Sequence, residues 1–465
     1  MLKDLGKSVF IYGIASSISK FVGIFLIPIF SRYFSPEQYG SLDLISTVIS
    51  FVAILGMLQL ESAISRYYYE AEGRNRNVYI STAFWTILIL SALLLILIIL
   101  LSDVISFKIF DTLQYSSLIK FASLNIILLN LFGYLTVLLR FQNKPILYSI
   151  VIFLQFIITF LISVVLVYYN KGIISFFIGQ AAGLLTGIVV IIIYLRKSFV
   201  FTIDKKVLKD FFNYSLPQVP AVAGNWMNSY VNRFVMLSSL TIADIGIYTV
   251  ALKIASIFNL LENAFRMAWE PYLWSKIKIP GHKELLRTLS ISISIIIFSF
   301  ALLFMLFSKE ALLLLSTKEY IDALPVIKIL IFAFSFPILT QVFGIGTSVA
   351  KKTIYNTISF FGGVVINLSM LFILVPHIGL IGVPLSLCIS NLTILFLMWY
   401  FSEKKYFIGF NYRIEIIIIL IFSLFAYLLF IFEIHLFIRI VVFLIAFLTL
   451  FFNKQKIYSF VTKTL

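Results

Sequence analysis

Long runs of apolar residues alternate with short polar stretches along almost the whole chain. Each run is close to twenty residues long, which matches the thickness of a bilayer core when the run is helical. The pattern predicts about fourteen spans, at residues 8–30, 41–60, 78–101, 116–139, 145–167, 173–195, 211–237, 245–265, 288–307, 325–350, 353–375, 380–401, 414–432 and 436–452. The last two are predicted to form a tight hairpin, because Glu433 and His435 interrupt them.

Composition supports a membrane protein and excludes several other classes. Hydrophobic residues make up 61% of the chain and charged residues 12%, whereas a soluble domain has about 25% charged residues. The single cysteine, Cys388, rules out an internal disulfide framework, and no Cys/His cluster suggests a metal. We therefore predict an all-α polytopic membrane protein with no metal and no cofactor.

The formal net charge of +16 has a topological explanation. Most Lys and Arg residues fall in alternate connecting segments, and these segments face the cytoplasm if the N-terminus does. The opposite loops hold Arg32, Lys108, Lys171, Lys309 and Lys318. This asymmetry follows the positive-inside rule and predicts that both termini are cytoplasmic. A nucleic-acid partner is therefore not needed to explain the charge. The loops are also too short for a soluble catalytic module, so the chain is predicted not to be an enzyme.

One pattern occurs twice. Residues 31–45 read SRYFSPEQYGSLDLI and residues 238–252 read SSLTIADIGIYTVAL, each a polar patch followed by a glycine that opens an apolar run. The helices that precede them are the first and the seventh predicted spans, six positions apart, so both copies cross the membrane in the same direction. We predict two parallel six-helix lobes, residues 1–200 and 201–405, and an appended hairpin with a tail, residues 406–465. A cleft between two such lobes is the geometry of alternating access.

Polar residues inside the spans are candidate functional groups, because their cost in lipid is high. The seventh predicted span carries a polar stripe at helical spacing, made of Gln218, Asn225, Asn228, Ser229 and Asn232, with Arg233 at its edge. This stripe either lines a wet cavity or holds neighbouring helices together by hydrogen bonds. Pro217 and Pro220 are expected to break the helix near its entry.

Further candidates lie in other predicted spans. In the first span Gly13, Ser16, Ser17 and Lys20 share one face, and Lys253 lies early in the eighth span. Asp43, Glu61 and Glu262 are predicted to serve either in ion coupling or in ion pairs with these cations.

Three stretches resemble one known family. SRYFSPEQYGSLDLI is similar to the phrase after the first helix of Wzx-type polysaccharide flippases. DFFNYSLPQVP (residues 210–220) and VNRFVMLSSLTIADIGIYTVALKIA (residues 231–255) resemble the opening of their second half, and AWEPYLW (residues 268–274) resembles a later loop. These proteins belong to the multidrug/oligosaccharidyl-lipid/polysaccharide exporter superfamily, in which the lipid II flippase is a relative.

The resemblance implies a flippase in the bacterial inner or plasma membrane. It would carry undecaprenyl-pyrophosphate-linked oligosaccharide units from the cytoplasmic to the outer leaflet, for O-antigen, lipopolysaccharide or capsule. Its partners would be this lipid-linked cargo, membrane lipids, a polysaccharide polymerase and a chain-length regulator. The segment SISKFVG (residues 17–23) resembles the first helix of the lipid II flippase, with Lys20 where that protein has Arg; a second cation of that helix is missing near Ile24.

On this interpretation the cargo contacts a group of cationic, amide and hydroxyl side chains. They are Ser16, Ser17, Lys20, Gln218, Asn225, Asn228, Asn232, Arg233 and Lys253. Two other functions stay open: a multidrug or cation exporter of the same superfamily, and a membrane-embedded glycan polymerase. An exporter of cations favours acidic cavities, and a polymerase needs a sizeable outside loop, so both fit this sequence less well.

Overall fold

The computed structural model describes residues 26–68, 73–277, 279–352 and 354–432, and every regular element in these ranges is a helix. The predicted last span, at 436–452, lies outside the described residues. So does most of the predicted first span, including Ser16, Ser17 and Lys20. By internal contacts the chain divides into two units. Unit 1 comprises Met1–Leu237 and Thr241–Gly246, and unit 2 comprises Ser238–Leu240 and Ile247–Leu465.

Unit 1 contains the described helices up to the end of α10. They are α1 (26–33), α2 (Pro36–Met57), α3 (Leu60–Tyr67), α4 (Gly73–Phe110), α5 (Ser116–Ala122), α6 (Leu124–Phe141), α7 (Pro145–Tyr168), α8 (Ile174–Leu195), α9 (Lys205–Ser215) and α10 (Val219–Ser239), with 3₁₀ turns at Arg196–Ser198 and Leu216–Gln218. Its core joins α3, α4, α6, α8 and α9 around the fully buried Tyr134 and Phe211. The Tyr134 hydroxyl donates to the Ile80 carbonyl oxygen at 2.7 Å, which satisfies its polar end.

Unit 2 contains most of the remaining helices, although α11 begins within unit 1. They are α11 (Ile242–Ala255), α12 (Ile257–Lys276), α13 (His282–Leu306), α14 (Ser308–Leu315), α15 (Ala323–Ala333), α16 (Phe336–Phe343), α17 (Ile345–Val349), α18 (Ile354–Ile378), α19 (Gly382–Lys405) and α20 (Tyr412–Ile431), with 3₁₀ turns at Lys318–Tyr320 and Gly379–Ile381. Phe298 of α13 is fully buried against the rings of Phe332, Phe336 and Phe422, at centroid distances of 5.4–5.9 Å.

Ten helical stretches in the described ranges are long and apolar enough to cross a membrane, which supports a multi-pass membrane protein. One of them, Ile354–Lys405, has 52 residues and holds two predicted spans, because a turn at Gly379 (φ 63°) separates α18 from α19. The predicted span 211–237 consists of α9, a 3₁₀ turn and α10. It is not among the ten, because amides and Arg233 lower its hydropathy. The expected break at Pro217 is confirmed. The total of fourteen and the orientation of the termini stay predictions.

The two repeated sequence stretches begin two helices in the same way. At α2, the Gln38 amide N–H donates to Ser35 Oγ (3.3 Å) and the Ser35 N–H donates to Gln38 Oε1 (3.2 Å). At α11, the Asp244 N–H donates to Thr241 Oγ1 (3.2 Å) and the Thr241 N–H donates to Asp244 Oδ2 (3.0 Å). Both are capping boxes, which satisfy amide groups that a helix start leaves without partners. The polar punctuation of the sequence is therefore a pair of helix caps.

A glycine lies five residues after the capping residue in both copies, and these glycines meet. A Cβ on Gly40 would fall inside van der Waals contact of the Ile242 carbonyl oxygen, and a Cβ on Gly246 would do the same at the Pro36 carbonyl oxygen. Pro36 and Ile242 are the first residues of α2 and α11, so the contact is reciprocal. Only glycine lets two helix backbones approach this closely.

Candidate functional site

Arg233 forms a buried ion pair. Its side chain is 3% exposed, and its Nε donates to Asp43 Oδ2 at 3.0 Å. Its Nη1 donates to the Ser229 carbonyl oxygen and to Asn232 Oδ1, both at 2.9 Å. Its guanidinium carbon also lies 5.1 Å from the centroid of the Tyr230 ring. A lone charge at membrane depth is expensive, so this set of partners explains how α10 can hold an arginine there.

A second contact joins α2 to α10, and a third joins α3 to the 3₁₀ turn that precedes α10. Seven residues, or about two turns, separate Asp43 from Ser50 on α2 and Trp226 from Arg233 on α10, so both pairs share a helix face. The Trp226 Nε1–H donates to Ser50 Oγ at 2.9 Å. Beyond α2, Ser62 Oγ of α3 donates to the Gln218 side-chain oxygen at 2.9 Å. We call these three pairs, Asp43–Arg233, Ser50–Trp226 and Ser62–Gln218, the polar ladder.

The predicted polar stripe is divided by the ladder. Gln218, Asn232 and Arg233 make the contacts described above, whereas Asn228 and Ser229 have exposed side chains. The side chain of Asn225 lies outside the description. Part of the stripe therefore joins helices by hydrogen bonds, and the lining of a wet cavity by its exposed part stays a prediction.

Three other predicted residues take no part in the three pairs of the ladder. Glu61 is half-buried on α3, and the positive charge of Arg140 attracts its carboxylate. In unit 2, Lys253 is half-buried on α11. Glu262 lies on α12, where its Oε1 accepts a hydrogen bond from the Gln341 side-chain nitrogen at 3.3 Å.

Glu262 lines a cavity of about 370 Å³ in unit 2, whose mainly apolar wall carries several polar side chains. We call it the unit 2 cavity; its polar walls come from α12, α16, α18 and α19 and include Glu262, Arg266, Trp269, Gln341, Asn356 and Asn391. Sequence reasoning found Glu262 alone among these. The spacing of Glu262, Arg266 and Trp269 along one helix face was an available signal, but the amides are single polar residues in three separate apolar runs.

No metal site is evident in the part of the chain that the structure describes. There, no group of three or more His, Cys, Asp or Glu side chains is placed to hold an ion. The chemistry available is hydrogen bonding by amides, hydroxyls and indoles, together with the charges of the ladder and of α12.

The profile of a family described as polysaccharide biosynthesis protein matches residues 29–325. The chain belongs to this family. This polysaccharide biosynthesis protein is also 25% identical over 284 residues to protein 1 of the Lsg locus of Haemophilus influenzae. That alignment covers 58% of the present chain and 66% of the relative, just under two thirds of its length.

Solved structures show which fold this polysaccharide biosynthesis protein has. It resembles the lipid II flippase MurJ in an inward closed conformation, with a TM-score of 0.75, 18% identity, and coverage of 96% of this chain and 100% of that one. It also resembles an inward-facing multidrug resistance MATE family transporter of the MOP superfamily, with a TM-score of 0.61, 14% identity, and coverage of 85% and 98%. At these identities the likeness concerns the fold. The profile match confirms the predicted resemblance to a polysaccharide biosynthesis family, and the fold is that of the matched flippase and transporter structures.

Proposed function

We propose that this protein is a flippase for undecaprenyl-pyrophosphate-linked oligosaccharide units, working by alternating access. In this proposal it lies in the bacterial inner or plasma membrane and moves the units to the outer leaflet. A polymerase and a chain-length regulator then use them for a surface polysaccharide such as O-antigen or capsule. Family membership supports the polysaccharide pathway, and the likeness to a lipid II flippase supports a fold suited to such cargo.

The observation that carries the proposal is the polarity of α10. This helix exposes Asn228 and Ser229 and buries Arg233, in a segment expected to cross the membrane. Exposed amides are tolerated at membrane depth only where they face protein or a wet cavity. Amide and hydroxyl groups are suitable partners for sugar hydroxyls and phosphate oxygens, so α10 is a reasonable wall for a glycan-bearing headgroup.

The predicted cargo contacts divide into two roles within this proposal. Arg233 is held by Asp43, so it orients α10 against α2 and presents the neighbouring amides. Lys20, with Ser16 and Ser17, is proposed to meet the pyrophosphate, and Asn225 and Asn228 to meet the sugars. Lys253 is proposed to add a second positive charge on the path of the headgroup.

The test uses purified full-length protein in proteoliposomes that contain a fluorescent undecaprenyl-pyrophosphate-linked oligosaccharide. Movement between leaflets is measured by quenching from outside. We expect Lys20→Ala to lose most of the transport and Lys20→Arg to retain much of it, because Arg keeps the positive charge. The matched control is Lys171→Ala, since Lys171 is exposed in the loop after α7. Equal transport by Lys20→Ala and the parent would show the cavity assignment to be wrong. Export of a cationic dye without lipid movement would favour the multidrug exporter.

A further inference from the structure

The unit 2 cavity has the size of a small-ligand site. Its volume of about 370 Å³ lies within the usual range of ligand pockets, about 300–1,000 Å³. At liquid density this is the space of about a dozen water molecules, and a hexose also has about twelve non-hydrogen atoms. The cavity can therefore hold one sugar ring with its hydroxyl groups.

Two polar atoms on its wall have no hydrogen-bond partner among the described residues. They are the indole N–H of Trp269, whose side chain is 6% exposed, and the side-chain oxygen of Gln341. Buried polar atoms are nearly always paired. An unpaired donor on α12 and an unpaired acceptor on α16, both on residues that line this cavity, suit a ligand that accepts and donates hydrogen bonds. A sugar hydroxyl does both.

The charges on the wall favour a neutral polar ligand over an ion. Among the described lining residues, Glu262 is the one acidic group, and Arg266 lies one turn further along α12. A cation would meet the guanidinium and an anion would meet the carboxylate. Sugar hydroxyls, in contrast, can donate to Glu262 and accept from Arg266 at the same time.

Aromatic side chains complete the match to a carbohydrate. Trp269 stacks between Phe265 and Tyr272, at centroid distances of 5.5 and 6.2 Å, so its ring is firmly held. Trp274 also lines the cavity, and its side chain is 50% exposed. An exposed indole face packs well against the apolar C–H face of a sugar ring.

We propose that the unit 2 cavity is a sugar-binding subsite, with Trp269 and Gln341 as hydrogen-bonding residues and Trp274 as the stacking residue. As the place where part of the cargo glycan is recognised, the subsite rests on the proposed function. Its neighbouring segments, 266–287 and 351–352, are predicted to be cytoplasmic, which is the side from which such cargo arrives.

Binding is tested first with free sugars. The purified full-length protein is titrated with glucose, galactose and N-acetylglucosamine, and tryptophan fluorescence is recorded. We expect saturable binding of at least one sugar, and a five- to tenfold higher Kd for Trp269→Phe, because the loss of one hydrogen bond has about this effect. The matched control is Trp85→Phe in unit 1, whose Nε1–H donates to the Val200 carbonyl oxygen, 3.2 Å away; its Kd should equal that of the parent.

Three results would overturn the subsite. They are no saturable binding of any of these sugars, an unchanged Kd in both Trp269→Phe and Trp274→Leu, or saturable binding of tetraethylammonium that Trp269→Phe weakens.

Transport separates this inference from the proposed function. If the parent moves the lipid-linked oligosaccharide and Trp269→Phe has an unchanged KM for it, the subsite is wrong while the flippase stands. If sugars bind as expected and the parent moves no lipid-linked cargo, the subsite stands while the flippase is wrong.

Discussion

Replacing Asp43 by Asn is expected to destabilise the protein more than replacing Arg233 by Leu. Asp43→Asn removes the carboxylate that lies 3.0 Å from a guanidinium only 3% exposed, while the neutral acceptors at Ser229 and Asn232 remain. Removing one partner of a buried pair costs about 3–5 kcal/mol. Because those acceptors remain, we expect about 3 kcal/mol, at the lower end of that range. Arg233→Leu leaves a carboxylate that is 14% exposed and can be hydrated. This substitution should therefore destabilise the protein less than Asp43→Asn does.

The double variant Asp43→Asn/Arg233→Leu supplies the decisive comparison. It removes both charges, so neither charge is left buried and alone. The free energy of unfolding should therefore fall by much less than the sum of the two single decreases. The melting temperature of each variant is measured by heating it in detergent and monitoring the folded fraction by size-exclusion chromatography. For a chain of this size, 3 kcal/mol corresponds to a fall in melting temperature of roughly 3–6 °C.

A second ion pair of unit 1 provides the control. Asp103 and Lys120 lie 3.5 Å apart, and their side chains are 63% and 45% exposed. Exposed pairs contribute little, so Asp103→Asn should unfold close to the parent. A melting temperature of Asp43→Asn that is no lower than that of Asp103→Asn would contradict this prediction. So would a double variant whose fall in melting temperature equals the sum of the two single falls. Either result would mean that Arg233 does not depend on Asp43 inside the protein.

Two other contacts give predictions with the same assays. Gly40→Ala and Gly246→Ala should each lower the melting temperature and slow lipid movement, because the added methyl group pushes α2 away from α11. Gly224→Ala is the control and should change neither quantity, because a Cβ there meets nothing within 4 Å. Glu415 is fully buried and accepts hydrogen bonds of 2.7 and 2.8 Å from two serine hydroxyls of α13; Glu415→Gln should therefore unfold near the parent and Glu415→Leu several degrees lower. Equal melting temperatures for the Gln and Leu variants would contradict the second prediction.

The helices of this fold are predictable because bilayer thickness sets the length of an apolar run. The prediction was least accurate where backbone geometry depends on tertiary contacts. The predicted span 41–60 falls almost wholly within α2, but its end contains a break at Leu58 (φ 43°) and Gln59 (φ 57°), after which α3 begins at Leu60. A left-handed residue that is not glycine is unfavourable on its own, so it has no reliable signal in the sequence. Contacts such as Ser62–Gln218 become visible only when distant helices meet.

The candidate site shows the same limit. Helical periodicity grouped Asn232 with Arg233, because both lie on one helix. It left Asp43 either to ion coupling or to an ion pair with a cation inside the spans, without selecting Arg233, which lies 190 positions away. Their pairing depends on which helices are neighbours, which periodicity along one helix does not contain. The unit 2 cavity was missed for the same reason, since Gln341 and Asn391 are isolated polar residues in their own runs.

The contacts of unit 1 differ in how easily they can be separated. The Asp43–Arg233 pair would leave a buried charge behind if α2 and α10 moved apart, so these helices should move together. The Gly40–Gly246 contact contains no ion pair, only close backbone packing, so its separation costs dispersion and weak C–H···O contacts alone. A transporter that alternates needs both kinds of contact. Under the alternating access proposed above, we expect the transport motion to open the paired glycines and to leave the Asp43–Arg233 pair closed.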